Sequence, residues 1–162
     1  MNVIEIIDRY RSNRPINIEG LIRELGVELD KKATLDANIA GQIERLSSGK
    51  YKISTNKNDH YYRQRFTMAH ELGHFLLHQN LIGDGVNDDK LYRSTSEGNF
   101  YNTAIKKSHE TQANKFAASV LMPLQIIKQD YEDTGHPDLS EFSKRWQVST
   151  EALAIRLGLP RT

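Results

Sequence analysis

Cysteine is absent from the 162 residues, which excludes a disulfide scaffold, a thiolate metal site and a cysteine nucleophile. Proline is scarce, at 4 residues, and no Pro/Gly-rich linker, repeat or low-complexity segment divides the chain. Long apolar runs are missing as well. Nothing approaches membrane-spanning length, and Glu5 and Asp8 interrupt an N-terminus that lacks the basic-then-apolar order of a signal peptide. Neither sign of charge dominates: 22 Lys+Arg against 21 Asp+Glu leave a net charge of +1. A protein whose main task is coating nucleic acid needs a clear cationic excess. These absences lead to the expectation of a soluble, cytoplasmic protein about one domain long.

What is present reads as helices around a small sheet. Val3, Ile4, Ile6, Ile7 and Tyr10 suit a first helix. Asn17 caps a second, whose Ile18, Leu21, Ile22 and Leu25 recur at helical spacing until Gly26. Val27 and Leu29 start a strand, and Ile39 to Lys57 reads as a hairpin turning at Ser47-Ser48-Gly49. A helix rich in apolar residues follows from about Tyr61 to Gln79. The polar stretch Gly83 to Asn99 reads as a loop with one short strand around Leu91. Ala113, Phe116, Ala117, Val120 and Leu121 stripe a helix over about 104–121. Pro123 opens another that closes near Gly135, and two short helices end the chain. The fold class is α+β, with a small antiparallel sheet packed against a mostly helical body.

The chemistry concentrates in His70-Glu71-Leu72-Gly73-His74. Residues four apart lie one turn above each other on a helix, so both imidazoles can hold one metal ion from the same face. Glu71 is rotated by about 100° from His70, which places it to flank a metal without ligating it, where a base acting on water must stand. Composition alone gives about 0.015 accidental matches to this pattern, so chance does not explain it. Three ionisable groups among Phe66, Leu72, Phe75, Leu76 and Leu77 are costly unless something satisfies them. His78 repeats the four-residue spacing from His74, but only the His70/His74 pair brackets a carboxylate. His78 is expected to be packed or hydrogen-bonded.

A catalytic zinc needs a third protein ligand and an open position. An extended motif with glycine seven and histidine ten residues after the first histidine fails, because Leu77 and Asn80 stand there. The alternative is a carboxylate on a later helix, and His109-Glu110-Thr111-Gln112-Ala113-Asn114 lies on one. Glu110 precedes Ala113 by three and Ala117 by seven, and His109 lies at the stripe's edge, so periodicity admits both. Asn114, one turn after Glu110, can orient a ligand by hydrogen bonding.

Two blocks, Arg65-Phe66-Thr67-Met68-Ala69-His70-Glu71-Leu72-Gly73-His74-Phe75-Leu76-Leu77-His78 and Glu110-x-x-Ala113-Asn114-x-Phe116-Ala117-Ala118-x-x-Leu121-Met122-Pro123, resemble the ImmA/IrrE family of zinc metallo-endopeptidases. The resemblance reaches back through Ile39-Ala40-Gly41 and Ile53-Ser54-Thr55-Asn56 and covers roughly residues 15 to 157. It implies zinc held by His70, His74 and Glu110, with Glu71 as general base. It also implies a bacterial or prophage-type cytoplasmic protein that cleaves a helix-turn-helix repressor and so derepresses genes. On this basis residues 1–162 form one metalloprotease domain: 1–60 carry the N-terminal helices and sheet, 61–122 the two metal-bearing helices, and 123–162 the C-terminal helices.

An oxyanion donor is required for such a reaction, and Tyr92, Arg93, Tyr101 and His109 are candidates by chain proximity. The Lys50–Asn56 arm, as an edge strand, would pair with an extended substrate. The tail from Leu139 to Leu157 resembles a helix-turn-helix. Bound to DNA, it would turn Ser149, Thr150 and Ala154 to the groove and Lys144, Arg145 and Arg156 to phosphates. Glu151 and the near-neutral chain weigh against that, so packing or partner docking is expected instead. The competing reading is a non-proteolytic antirepressor or DNA-linked regulator that keeps zinc for structure.

Overall fold

The computed structural model describes residues 2–82, the backbone of 92–95, and 106–160. Its elements run in the order α1 (Val3–Tyr10), α2 (Ile18–Glu24), β1 (Glu28–Ala33), β2 (Ile39–Arg45), β3 (Tyr51–Asn56) and α3 (Tyr61–Leu77). A 3-10 turn (Gln79–Leu81) then precedes β4 (Tyr92–Thr95), α4 (Lys107–Leu121), α5 (Leu124–Asp133), α6 (Leu139–Trp146) and α7 (Thr150–Leu157). This is the expected α+β class. The expected caps form: the Asn17 side chain accepts from the Gly20 N–H at 3.0 Å, and Gly49 takes positive φ in the hairpin turn.

The sheet order is β1-β3-β2-β4. β2 runs antiparallel to both β3 and β4, but β1 pairs with β3 in parallel. The sheet is therefore mixed, where an antiparallel one was expected. The cause is strand order: β2 docks on the far side of β3, so β3 is left beside the strand that preceded the hairpin, running the same way. A second expectation fails for the same reason. The Lys50–Asn56 arm is an interior strand, and its ladder hydrogen bonds are taken on both sides. Among the described residues, β1 and β4 are the outer strands.

α3 lies between β2 and β3 on one side and α4 on the other. Met68, Ala69 and Leu72 are fully buried against Ile43 and Ile53 of the sheet. Each such Leu, Ile or Met side chain stabilises the fold by about 1.5–3 kcal/mol. Gly41 makes the close approach possible, since a β-carbon there would sit 2.4 Å from Thr67 Cγ2 and 2.9 Å from the Ser54 carbonyl oxygen. The apolar wrapping expected around the motif is incomplete at Leu77, which is 53% exposed.

The last helices are part of the same core. Phe142, Trp146 and Leu153 are completely buried. The Asp130 carboxylate accepts from Trp146 Nε1 at 2.8 Å and from Arg145 Nε and Nη2 at 2.7 and 2.9 Å. Arg65, on α3, donates to the carbonyls of Trp146 at 3.1 Å and Gln147 at 2.7 Å, and also to that of Ile16. A helix-turn-helix shape is present, with Gln147 in the left-handed region and Ser149 capping α7. Half of its expected DNA-contacting set is tied up within the fold, while Lys144, Ser149 and Thr150 stay exposed. Arg145 is engaged by Asp130, Arg156 Nε donates to the Met122 carbonyl at 2.8 Å, and Ala154 is buried.

Candidate metal centre

α3 presents His70 and His74 on one face because four residues make slightly more than one turn. α4 crosses that face closely at Gly73, where a β-carbon would lie 3.1 Å from Phe116 Cδ1 and 3.3 Å from Ala113 Cα. The absence of a side chain there lets α4 bring Glu110, one turn before Ala113, over the two rings.

Three atoms converge as a result. His74 Nε2 lies 2.7 Å from Glu110 Oε1 and 3.2 Å from His70 Nε2, and His70 Nε2 lies 3.5 Å from Glu110 Oε1. A tetrahedral zinc ion with bonds of about 2.0–2.1 Å sets its ligand atoms about 3.3 Å apart, so these spacings bracket the requirement. His70, His74 and Glu110 are also a group whose ligand atoms all lie within 4.8 Å of one another. Periodicity admitted both His109 and Glu110. The structure brings Glu110 to the rings, while His109 sits outside them, its Nδ1 accepting from the Lys106 N–H at 2.9 Å and its ring 4.6 Å from that of His78.

The hydrogen bonds behind the rings fit a cation. Asn114 Oδ1 lies 2.7 Å from His70 Nδ1, so Nδ1 carries the proton and Nε2 keeps a lone pair. His74 Nδ1 lies 2.9 Å from His78 Nδ1, and His78 Nε2 lies 2.6 Å from Gln112 Oε1. With an acceptor at the far end of that chain, His74 Nε2 also keeps its lone pair. Lone pairs of two imidazoles and a carboxylate gathered this closely repel unless a proton or a metal ion lies among them. The donor set therefore suits a divalent ion of borderline softness.

Electrostatics differ between the two rings. Burial pushes His74 down to about 4, aided by the His70 and His78 rings and opposed by Glu110. Burial also pulls His70 down, but the Glu110 hydrogen bond and the charges of Glu71 and Glu110 carry it above the ordinary imidazole value. Glu71 is completely buried.

The cluster opens into a groove of about 1250 Å³. His70 and Glu110 lie at one part of it, with Met122 from the end of α4 and Ser149, Glu151 and Ile155 from the last helix and its cap. Of the oxyanion candidates, Tyr101 and the side chains of Tyr92 and Arg93 lie outside the described residues. Asn114, expected to orient a ligand, lies with its Oδ1 against His70 Nδ1. No local signal marks Gln112 as the partner of His78, 34 positions away.

An α+β body carrying a His-Glu-x-x-His helix, with a carboxylate delivered from the next helix, defines a site of metallopeptidase type. The chain belongs to the peptidase family described as the IrrE N-terminal-like domain, whose model matches residues 23–158. It is 37% identical over 97 residues to the radiation response metalloprotease IrrE of Deinococcus radiodurans, an alignment covering 59% of this chain and 27% of that protein. In fold it is similar to a Mycobacterium tuberculosis transcriptional regulator. The TM-score is 0.62 and the identity 15%, over 99% of this chain and 46% of that one. The chain thus spans under half the length of either. Among the described residues, no helix is long and apolar enough to cross a membrane.

Proposed function

We propose that the chain is a zinc-dependent endopeptidase, acting as a single cytoplasmic domain on a protein substrate, with a cognate helix-turn-helix repressor as that substrate and derepression as the outcome. In this reading His70 and His74 hold zinc through Nε2 and Glu110 holds it through its carboxylate. When bound, zinc acidifies water and polarises a peptide carbonyl. The Glu71 carboxylate takes the proton of the attacking water and delivers it to the leaving amine. Asn114 keeps the His70 ring turned with Nε2 forward. The groove along α4 and α7 receives the polypeptide on either side of the scissile bond.

The observation that supports this most is the approach of His70 Nε2, His74 Nε2 and Glu110 Oε1 to within 3.5 Å of one another. These side chains come from two helices and open onto a groove large enough for an extended chain. The test is incubation of the purified protein with zinc and the repressor encoded beside it, followed by mass spectrometry of the fragments. Wild type is expected to cut one peptide bond, and Glu71→Gln to bind zinc and leave the repressor whole. Equal cleavage by both removes Glu71 from the mechanism. Repressor binding without cleavage by wild type favours an antirepressor that uses zinc structurally.

A further inference from the structure

His78 is a buried residue with no role in the chemistry above, 4% exposed at the C-terminal cap of α3. Its two ring nitrogens are both engaged: Nδ1 faces His74 Nδ1 at 2.9 Å and Nε2 faces Gln112 Oε1 at 2.6 Å. The His109 ring covers one side of it. Four atoms thus form a line from the surface of α4 to the back of a proposed ligand.

A neutral imidazole carries one proton, so such a line has two self-consistent directions. In one, His78 Nε2–H donates to the Gln112 oxygen, His74 Nδ1–H donates to His78 Nδ1, and His74 Nε2 holds a lone pair. In the other, the Gln112 amide donates to His78 Nε2, His78 Nδ1–H donates to His74, and the His74 proton sits on Nε2, bonded to Glu110. Each direction places one proton on each ring, so switching between them neither takes up nor releases a proton overall. Only the first leaves His74 able to ligate through Nε2. Gln112 sits with its oxygen toward His78, which is that first direction.

We propose that Gln112 and His78 are positioning residues that fix the tautomer of His74 and so keep its Nε2 ready for metal. The proposal rests on the metal reading of the site. Its distinctive element is that the control lies in the orientation of one surface amide on α4, relayed through a second imidazole. Gln112 is exposed overall, so its substitution leaves the core intact.

The experiment compares wild type, Gln112→Leu, Gln112→Glu and His78→Ala in two measurements. One is zinc affinity by competition with a chromophoric chelator. The other is the ring nitrogen shifts of His74 in long-range 1H–15N spectra of the metal-free protein. Gln112→Leu removes the acceptor and is expected to weaken zinc binding about 10–100-fold and to move His74 toward the Nε2–H tautomer. Gln112→Glu keeps an acceptor and is expected to hold or tighten zinc binding with the Nδ1–H tautomer retained. His78→Ala is expected to resemble Gln112→Leu. Tight zinc binding by wild type with unchanged affinity and tautomer in Gln112→Leu overturns the relay and leaves the metal reading standing. A wild-type chain that binds no zinc overturns both.

Discussion

Gly73 and Ala113 meet where α3 crosses α4, with 3.3 Å between a β-carbon built on the glycine and the Ala113 Cα. That approach sets how far Glu110 reaches over the two histidines. Gly73→Ala gains about 1 kcal/mol of helix propensity, but Ala113 backbone and Phe116 must then move. The expected outcome is zinc affinity weakened about tenfold, with no rise in thermal stability, measured by chelator competition and melting curves. A higher melting temperature with unchanged affinity would show that the crossing has slack.

Arg65 holds three carbonyls that belong to the two ends of the chain. Arg65→Met strands those acceptors and is expected to lower unfolding stability by about 2–4 kcal/mol in denaturant titrations. Arg65→Lys is expected to recover little, because a single ammonium cannot span the three acceptors as a planar fork does. Near-wild-type stability of the lysine variant would count against this role.

Acid stability depends on Asp130. The Arg145 hydrogen bonds, against some cost of burial and with help from the Trp146 indole and Arg14, hold its carboxyl below the ordinary aspartate value. A carboxyl depressed by folding adds stability above its unfolded value, about 3.9, and that contribution fades as pH falls through the lower folded value. Wild type is therefore expected to lose stability more steeply than Asp130→Asn below about pH 4. Denaturant midpoints at a series of pH values measure this, and parallel curves would contradict it.

Ile155 is 55% exposed on α7 and lines the groove shared with His70 and Glu110. Ile155→Asp places a charge where an apolar contact with substrate is available. Cleavage assays are expected to show KM raised about tenfold with kcat largely kept. A fall in kcat at constant KM would mean that the polypeptide takes another path.

Local patterns made most of the helices legible. Asn17 and Pro123 stand at helix starts, and apolar spacing located α3 and α4, because helical contacts lie within a few residues of each other. Strand direction was not legible in this way. Alternation in Val27 and Leu29 marks β1 as extended, but its parallel partner, β3, lies beyond an intervening strand, and no residue in either announces the pairing. The same limit applied around the candidate metal centre. His70, Glu71 and His74 form one short word in the sequence, whereas Gln112 reaches His78 across 34 positions. Arg65 and Arg145 looked alike as charges. Only the fold reveals that one is spent on carbonyls and the other on Asp130.

Because Asp130 and Arg65 clamp α6 to the rest of the molecule, one bank of the cleft is held by contacts that the candidate ion-binding cluster does not share. Loosening either clamp would let that bank swing outward while His70, His74 and Glu110 stay on α3 and α4. Channel width and affinity for an ion would thus be governed by separate parts of the architecture and yield to separate substitutions.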